Sequence, residues 1–433
     1  MEMTGTGSEI KEMQSSRTGD RYLEVKHSSG LRIFIYPKEK NNSTYAVFGT
    51  KYGSIDSCFQ ATEDADPQRV PNGIAHYLEH KLFESEDGDA FARYAKTGAC
   101  ANAYTSFDMT CYLFSCTENV YESLEILLDF VQSPYFTEQT VQKEQGIIGQ
   151  EIRMYDDTPQ WRVMFNLLEA MYHTHPVKID IAGTTESIAK ITPELLYRCY
   201  HTFYNLNNMA LCVAGNIDPE RVLSLCDRML KPSSASNVKR IFEPEPESIV
   251  KPRTEQQLSV AVPLFELGFK ESAAQGRASV SQLAQTDILL EALASPATPL
   301  YRSLLDDGLI NEASFSHEYF EGPGFASVIF SGESTNPDAV AERIKSEVER
   351  FRREGMGRDT FRRAKNAVYG RNLMALNDVG VIANTMISLS FADRELFSYL
   401  DAVAETDVNS VLSRLETQLK PDVSVLSVVK PIR

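Results

Sequence analysis

Two histidines and a glutamate stand close together in the segment His76-Tyr77-Leu78-Glu79-His80. Residues four apart share one face of a helix, so His76 and His80 project together if this segment is helical. Two imidazoles at that spacing can bind one metal ion, and Zn2+ is the leading candidate. Glu79 lies on the flank of the same face, where its carboxylate can accept a proton from an activated water. The order of residues, H-x-x-E-H, is the reverse of the common zincin motif.

A third metal ligand must come from elsewhere in the chain, because two histidines leave a catalytic zinc one protein ligand short. The best supply is the downstream segment VQKEQGIIGQEIRMYDD, which contains Glu144 and Glu151. These two glutamates are seven residues apart, nearly two helical turns, so they lie on one face of a helix. The spacing predicts that one of them completes the site and leaves open which one.

The elements that must position these side chains predict an α+β fold with a mostly antiparallel sheet. Alternating apolar residues predict strands between Tyr22 and Gly53 and again at 101–116. The histidines lie on a predicted helix at 74–85. The two glutamates lie on a long predicted helix at 137–157, which Pro159 ends.

The order of elements partly recurs after residues 231–256, a segment rich in proline, serine and charge that we interpret as a linker. We therefore expect two related halves, each a mostly antiparallel sheet flanked by helices. The first half, 22–230, would be the zinc-binding catalytic domain, and the second half, 257–433, would be a domain without metal. The polar residues 1–21 are expected to precede the first domain.

Composition and charge narrow the class of protein. Hydrophobic residues make up 42% and charged residues 24% of the 433 residues, as in a globular protein, and the net charge is −17. An acidic surface argues against a nucleic-acid groove, because phosphate binding needs a basic face. The seven cysteines form no C-x-x-C pair, and no signal peptide or membrane-spanning run is apparent, so we expect reduced thiols and a cytoplasmic location.

The segment GIAHYLEHKLFE, followed further along the chain by EQGIIGQEIRMYDD, resembles the pitrilysin or insulinase family (M16) of zinc peptidases. Further matches include Gly98, the segment Asn102-Ala103-x-Thr105 and the pair His175-Pro176. Within the family, the sequence is most similar to short bacterial proteins that carry the motif in one chain and occur beside a related chain that lacks it.

The resemblance implies a zinc-dependent endopeptidase that hydrolyses internal bonds of peptides or small unfolded precursors. It also implies one Zn2+ per chain and a substrate that adds to the sheet as a strand. Carried over by position, it assigns the metal ligands to His76, His80 and Glu151, the general base to Glu79, a supporting acid to Glu144, and the substrate strand to Ala101, Asn102 and Ala103.

One departure from the family pattern predicts a partner chain. Active members often carry, in the second half, an arginine and a tyrosine six residues apart that help hold the substrate. Here those positions hold Leu305 and Asn311. We therefore expect a homologous partner chain that supplies this pair in a heterodimer, or else a homodimer. The rival readings are an enzyme that works alone with altered specificity, and a non-catalytic assembly or peptide-binding subunit that retains the fold.

Overall fold

The computed structural model describes residues 7–62, 64–86, 88–233, 237–272 and 276–432. The chain forms two compact units, and each unit is assembled from separate stretches of sequence. Unit 1 takes its described residues from Met1–Gln150, Asp180–Ile241 and Met374–Phe397. Unit 2 takes them from Glu151–Ile179, Phe242–Leu373 and Ser398–Arg433.

Strands form the centre of both units, and their bounds in the described chain are as follows. They are β1 (Glu9–Gln14), β2 (Arg21–Lys26), β3 (Arg32–Pro37), β4 (Thr44–Thr50), β5 (Cys58–Ala61), β6 (Gln68–Arg69), β7 (Glu84–Ser85), β8 (Gly88–Asp89), β9 (Cys100–Thr105), β10 (Thr110–Cys116), β11 (Met209–Gly215), β12 (Val238–Arg240), β13 (Arg253–Leu258), β14 (Leu264–Glu271), β15 (Ser316–Gly322), β16 (Phe325–Glu333) and β17 (Ser424–Pro431).

Helices connect and cover these strands. They are α1 (Ile74–Leu82), α2 (Ala90–Thr97), α3 (Val120–Val131), α4 (Glu138–Asp156), α5 (Pro159–Met171), α6 (Thr185–Ile188), α7 (Pro193–Phe203), α8 (Pro219–Met229), α9 (Val280–Ala294), α10 (Pro299–Asp306), α11 (Pro337–Glu354), α12 (Arg358–Ala375), α13 (Val379–Phe391), α14 (Ser398–Glu405) and α15 (Val408–Gln418). Short 3-10 turns lie at Pro176–Lys178, Leu206–Asn208 and Pro421–Val423.

The two main sheets share one topology. In unit 1 the strand order is β1-β2-β3-β11-β4-β10-β9, and in unit 2 it is β13-β17-β14-β16-β15. Parallel pairing joins β3 to β11 and β13 to β17, and the other neighbours in both sheets are antiparallel. The last five strands of the first sheet therefore correspond one by one to the five strands of the second. This correspondence confirms the predicted α+β class with two related halves.

Each sheet is covered by a helix that comes from the other half of the sequence. Helix α5 packs against β13, β14 and β17 in unit 2, and α13 packs against β4 and β11 in unit 1. A glycine lies under each crossing. A Cβ atom would come within 2.8 Å of Ile387 Cγ2 at Gly49 and within 2.5 Å of Met171 Cε at Gly268. Corresponding strands thus use the smallest residue where a helix approaches closely.

These units differ from the contiguous domains expected from the sequence, because residues 151–179 and 374–397 are exchanged between them. The polar segment 1–21 contains β1, which pairs with β2, while its residues 1–6 lie outside the described chain. The expected linker 231–256 contains β12 and the start of β13, and its residues 234–236 are likewise not described. Polar composition misleads here because a strand at a sheet edge also faces water.

No helix within the described residues is by itself long and apolar enough to cross a membrane. Helices α12 and α13 meet that criterion of length and composition only as a bent pair taken together.

Candidate metal centre

Helix α1 presents His76 and His80 on one face. It begins after Gly73, whose φ is 88°, and it is anchored in the core by Tyr77 and Leu78, which are fully buried. The two imidazole ring centroids lie 4.6 Å apart. Burial, together with the neighbouring His80, lowers the pKa of His76 to about 3. The ring of His76 is therefore neutral near pH 7, which is the state in which an imidazole binds a metal.

Gly73 fixes where this helix starts. A Cβ atom at this residue would lie 2.3 Å from the carbonyl oxygen of Ala182. The backbone of the residue is also in the left-handed conformation, which side chains other than glycine rarely adopt. Only glycine avoids this clash and adopts this conformation without strain. At the next turn, the Tyr77 hydroxyl donates a short hydrogen bond to the carbonyl oxygen of Val141 on α4. These contacts hold α1 against the helix that carries the two glutamates.

Helix α4 places Glu144 beside His80. The Glu144 Oε1 atom and the His80 Nδ1 atom are 2.9 Å apart, and Glu144 is only 5% exposed. Burial alone would raise the pKa of Glu144, but the hydrogen bond with His80 and nearby positive charges lower it. An ionised carboxylate can only accept, so His80 donates this hydrogen bond from Nδ1. Glu144 thus orients the His80 ring so that Nε2 is the nitrogen that would bind a metal.

Two turns further along α4, Glu151 joins the two histidines. One potential ligand atom from each of His76, His80 and Glu151 lies within 4.8 Å of the other two. Among the described residues, this is the group of three His, Cys, Asp or Glu side chains close enough to hold one metal ion. Helix α4 is continuous from unit 1 into Glu151, the next residue after Gln150. The spacing of the two glutamates leaves open which of them is the third ligand. In the structure, Glu144 contacts His80 Nδ1, whereas Glu151 lies within reach of both histidines.

The donor set fits a zinc ion. Two imidazole nitrogens and one carboxylate oxygen are the ligands of many catalytic zinc sites, with bonds of about 2.0–2.2 Å. At tetrahedral angles such bonds put the ligand atoms about 3.4 Å apart, so small side-chain rotations would close the observed spread. Three protein ligands also leave a fourth position for water.

Glu79 points from the same helix toward strand β9. Its Oε2 atom accepts a hydrogen bond of 2.6 Å from the Thr105 hydroxyl. Side chains alternate along a strand, so Ala101 and Ala103 lie on the same face of β9 as Thr105. Strand β9 packs against α1 and is the last strand of the unit 1 sheet. The edge of the sheet therefore runs beside the glutamate of the motif.

The predicted substrate residues lie on that edge. Ala101 and Ala103 pair with Phe114 and Tyr112 of β10, which occupies one side of β9. Asn102 is exposed, and its side-chain Oδ1 accepts a 2.9 Å hydrogen bond from the Ala103 amide. No other strand in the described chain pairs with the opposite side of β9.

Sequence reasoning missed two partners of the site. The first is Thr105, which the sequence places in a segment that matches the family, but no pattern in a single sequence indicates that a strand hydroxyl reaches Glu79. The second is Tyr155, whose hydroxyl donates a 2.6 Å hydrogen bond to Glu151 Oε1. Its spacing of four residues from Glu151 on a predicted helix was the available signal.

The two positions at which the resemblance leads us to expect an arginine and a tyrosine lie in unit 2. Leu305 is on α10 and packs at the edge of the apolar core of that unit. Asn311 caps the following loop, because its Oδ1 accepts hydrogen bonds from the Ala313 and Ser314 amides. Neither side chain offers the cation or the phenol that the family pattern has there.

Sequence comparison gives the site a family. The family described as Insulinase (Peptidase family M16) matches residues 65–185, which include the histidines and both glutamates. The family described as Peptidase M16 inactive domain matches residues 190–368.

Similar proteins match over nearly the full chain. YmfH of Bacillus subtilis (strain 168), an uncharacterized zinc protease, is 41% identical over 418 residues, which cover 95% of this chain and 97% of YmfH. An M16-like peptidase from Alicyclobacillus acidocaldarius has a crystal structure with a TM-score of 0.90 and 34% identity, covering 99% of this chain and 100% of that one. Pitrilysin shares the fold at a TM-score of 0.73 and 17% identity, and the match covers 98% of this chain and 46% of pitrilysin. The chain therefore belongs to peptidase family M16.

Proposed function

We propose that this protein is a zinc-dependent endopeptidase that hydrolyses internal bonds of peptides or small unfolded precursors. The observation that carries the proposal is the group of His76, His80 and Glu151, whose ligand atoms lie within 4.8 Å of one another with Glu79 on the same helix. The names of the zinc protease relatives support the choice of metal. A bound Zn2+ would supply Lewis-acid polarisation of the scissile carbonyl and a water of lowered pKa.

Glu79 is the proposed general base. Its carboxylate would take the proton of the attacking water and later deliver that proton to the leaving amine. The hydrogen bond from Thr105 holds one carboxylate oxygen, so the other is oriented for proton transfer.

The imidazoles and their supports keep the ligand set in the correct protonation state. His76 is neutral because it is buried, and Glu144 holds the hydrogen of His80 on Nδ1. A metal would then bind His80 through Nε2, because Nδ1 is engaged with Glu144. These contacts favour a role for Glu144 in orienting His80, and not as a metal ligand itself.

The proposed substrate site is the edge of β9, at Ala101, Asn102 and Ala103. A peptide in extended conformation would pair with this edge through main-chain hydrogen bonds, which recognise the backbone more than the side chains. Most strands of a folded protein are already paired within their sheets, so the expected substrates are peptides or unfolded segments.

A homologous partner chain that carries the arginine and the tyrosine would complete the substrate site. A second copy of this chain is the alternative partner, but it would not add that pair. Support comes from Leu305 and Asn311, which replace the arginine and tyrosine of the family pattern. The match to about half of pitrilysin is also what a single subunit of a two-subunit enzyme would give. The metal-bearing chain and the substrate-holding chain would then be separate molecules.

The proposal is tested with purified protein by metal analysis and by cleavage of quenched fluorescent peptides. We expect one zinc per chain and cleavage that a chelator abolishes and added zinc restores. Glu79→Gln should retain the metal but lose at least about 100-fold in rate, since only the base is removed. Glu138→Gln, an exposed acid at the start of α4, serves as the matched control and should retain full activity.

Two results would decide against parts of the proposal. Protein that binds no zinc, or a Glu79→Gln variant as active as the wild type, would refute the peptidase mechanism. Zinc without cleavage would point to the partner, and co-purification from the native host followed by the same assay would identify it.

A further inference from the structure

Tyr155 contacts the carboxylate that completes the metal group. It lies one turn after Glu151 on α4, and its hydroxyl donates to Glu151 Oε1 at 2.6 Å. Hydrogen bonds from a hydroxyl to a carboxylate at about 2.5–2.7 Å are the strong, charge-assisted kind. One of the two carboxylate oxygens is therefore already held in a fixed direction.

The ring of Tyr155 is itself held by an aromatic stack from the next helix. It lies face to face with Trp161 of α5, with ring centroids 4.5 Å apart and planes 16° apart. Trp161 in turn contacts Phe165, at a centroid distance of 5.2 Å, and Phe165 is almost completely buried. This chain of rings connects the core of unit 2 to the hydroxyl that holds Glu151.

We propose that Tyr155 is a positioning residue that orients Glu151 for metal binding. With Oε1 held by the hydroxyl, Glu151 offers its other oxygen to the ion and binds through one atom. The tyrosine does for the carboxylate what Glu144 does for His80, so Glu151 and His80 each have an outer partner. This inference rests on the proposed function, because it takes the ion to be the zinc of the peptidase.

A purely structural role for Tyr155 predicts something different. Pairs four residues apart on a helix stabilise the helix whether or not a metal is bound. Loss of such a pair would lower the thermal stability of the metal-free protein and leave its affinity for zinc unchanged. Metal affinity, measured apart from catalysis, therefore separates the two roles.

The test is the zinc dissociation constant of Tyr155→Phe, measured by competition with a chromophoric chelator. Phenylalanine keeps the stacked ring and removes only the hydroxyl. We expect binding about 10- to 100-fold weaker than in the wild type, as for loss of other outer partners of metal ligands. Tyr22→Phe is the matched control, because Tyr22 donates a 2.9 Å hydrogen bond to the carboxylate of Glu395 in unit 1, and it should bind zinc as the wild type does.

A second pair of variants shows whether the effect passes through Glu151. In a Glu151→Ala background, Tyr155→Phe should cause no further loss of affinity, because the oriented carboxylate is already gone. Trp161→Phe keeps the Tyr155 hydroxyl but reduces the ring area stacked on Tyr155. It should therefore weaken zinc binding by a smaller factor than Tyr155→Phe does. Trp161 is the sole tryptophan of the sequence, and its emission should change on zinc addition to the wild type.

The outcomes separate this inference from the proposed function. Wild-type protein that binds zinc, together with a Tyr155→Phe variant of equal affinity, would overturn the inference alone. The same weakening in the Glu151→Ala background would also overturn it. Failure of the wild type to bind zinc would instead overturn the proposed function.

Discussion

Replacement of Glu144 gives a graded test of how the site prepares its second histidine. Glu144→Gln keeps the size of the side chain and an acceptor oxygen but removes the charge, so the bond to His80 Nδ1 becomes a neutral one. Glu144→Ala removes the acceptor altogether. The bond is 2.9 Å long and Glu144 is 5% exposed, so water cannot easily replace the lost oxygen.

The magnitudes follow from the kind of hydrogen bond that is lost. Bonds to charged groups contribute about 1.5–3 kcal/mol and neutral ones about 0.5–1.5 kcal/mol, so Glu144→Gln should cost about 1 kcal/mol of zinc binding. That corresponds to a dissociation constant about fivefold higher, because 1.4 kcal/mol is about tenfold. Glu144→Ala should raise it by about 10- to 100-fold, as other losses of an outer partner do.

Chelator competition at one fixed pH measures the three dissociation constants. Glu291→Gln is the matched control, because Glu291 is also a buried helix acid, 8% exposed, and pairs with Arg371 in unit 2. It should leave zinc affinity unchanged. Equal affinities for the wild type and Glu144→Ala, both folded, would refute the role assigned to the His80–Glu144 bond.

Three further predictions concern the scaffold. Burial opposes ionisation of Glu245, yet hydrogen bonds from Lys270 and the backbone lower its pKa to about 2. The thermal stability of the protein should therefore fall as the pH drops from about 5 to 2. In thermal scans, Glu245→Gln should make this dependence on pH less steep. Lys270→Ala leaves the Glu245 carboxylate, which is only 11% exposed, without its ion-pair partner. Urea titration should show a free energy of unfolding lower by about 3 kcal/mol. A variant as stable as the wild type would contradict the importance of this pair. Gly73→Ala should lose more stability than the control Gly98→Ala, because both residues have positive φ but only Gly73 has a backbone atom, Ala182 O, within 2.3 Å of the added Cβ.

The helices that carry the site could be predicted because their signals are local. Helix α4 spans Glu138–Asp156 where the sequence indicated 137–157, and α1 covers the predicted histidine helix except its last three residues. Helix α1 stops early because Glu84 and Ser85 enter the short strand β7. Helical periodicity and a following proline depend only on nearby residues, so they can be interpreted without the fold.

The exchange of α5 and α13 between the units could not be predicted in this way. An amphipathic pattern indicates which face of a helix is buried, but it does not indicate which sheet covers that face. The same limit applies to the third ligand. Glu144 and Glu151 share one helix face, and only the packing of α4 on α1 shows that the first contacts His80 Nδ1 while the second joins both rings.

The central claim, one ion held by His76, His80 and Glu151, is tested most directly by crystallography of zinc-loaded protein, with data collected on both sides of the zinc absorption edge. We predict one anomalous peak at about 2.0–2.2 Å from a nitrogen of each histidine and from one oxygen of Glu151. A zinc-loaded crystal with no peak there, or with its peak on other side chains, would contradict the proposed metal centre.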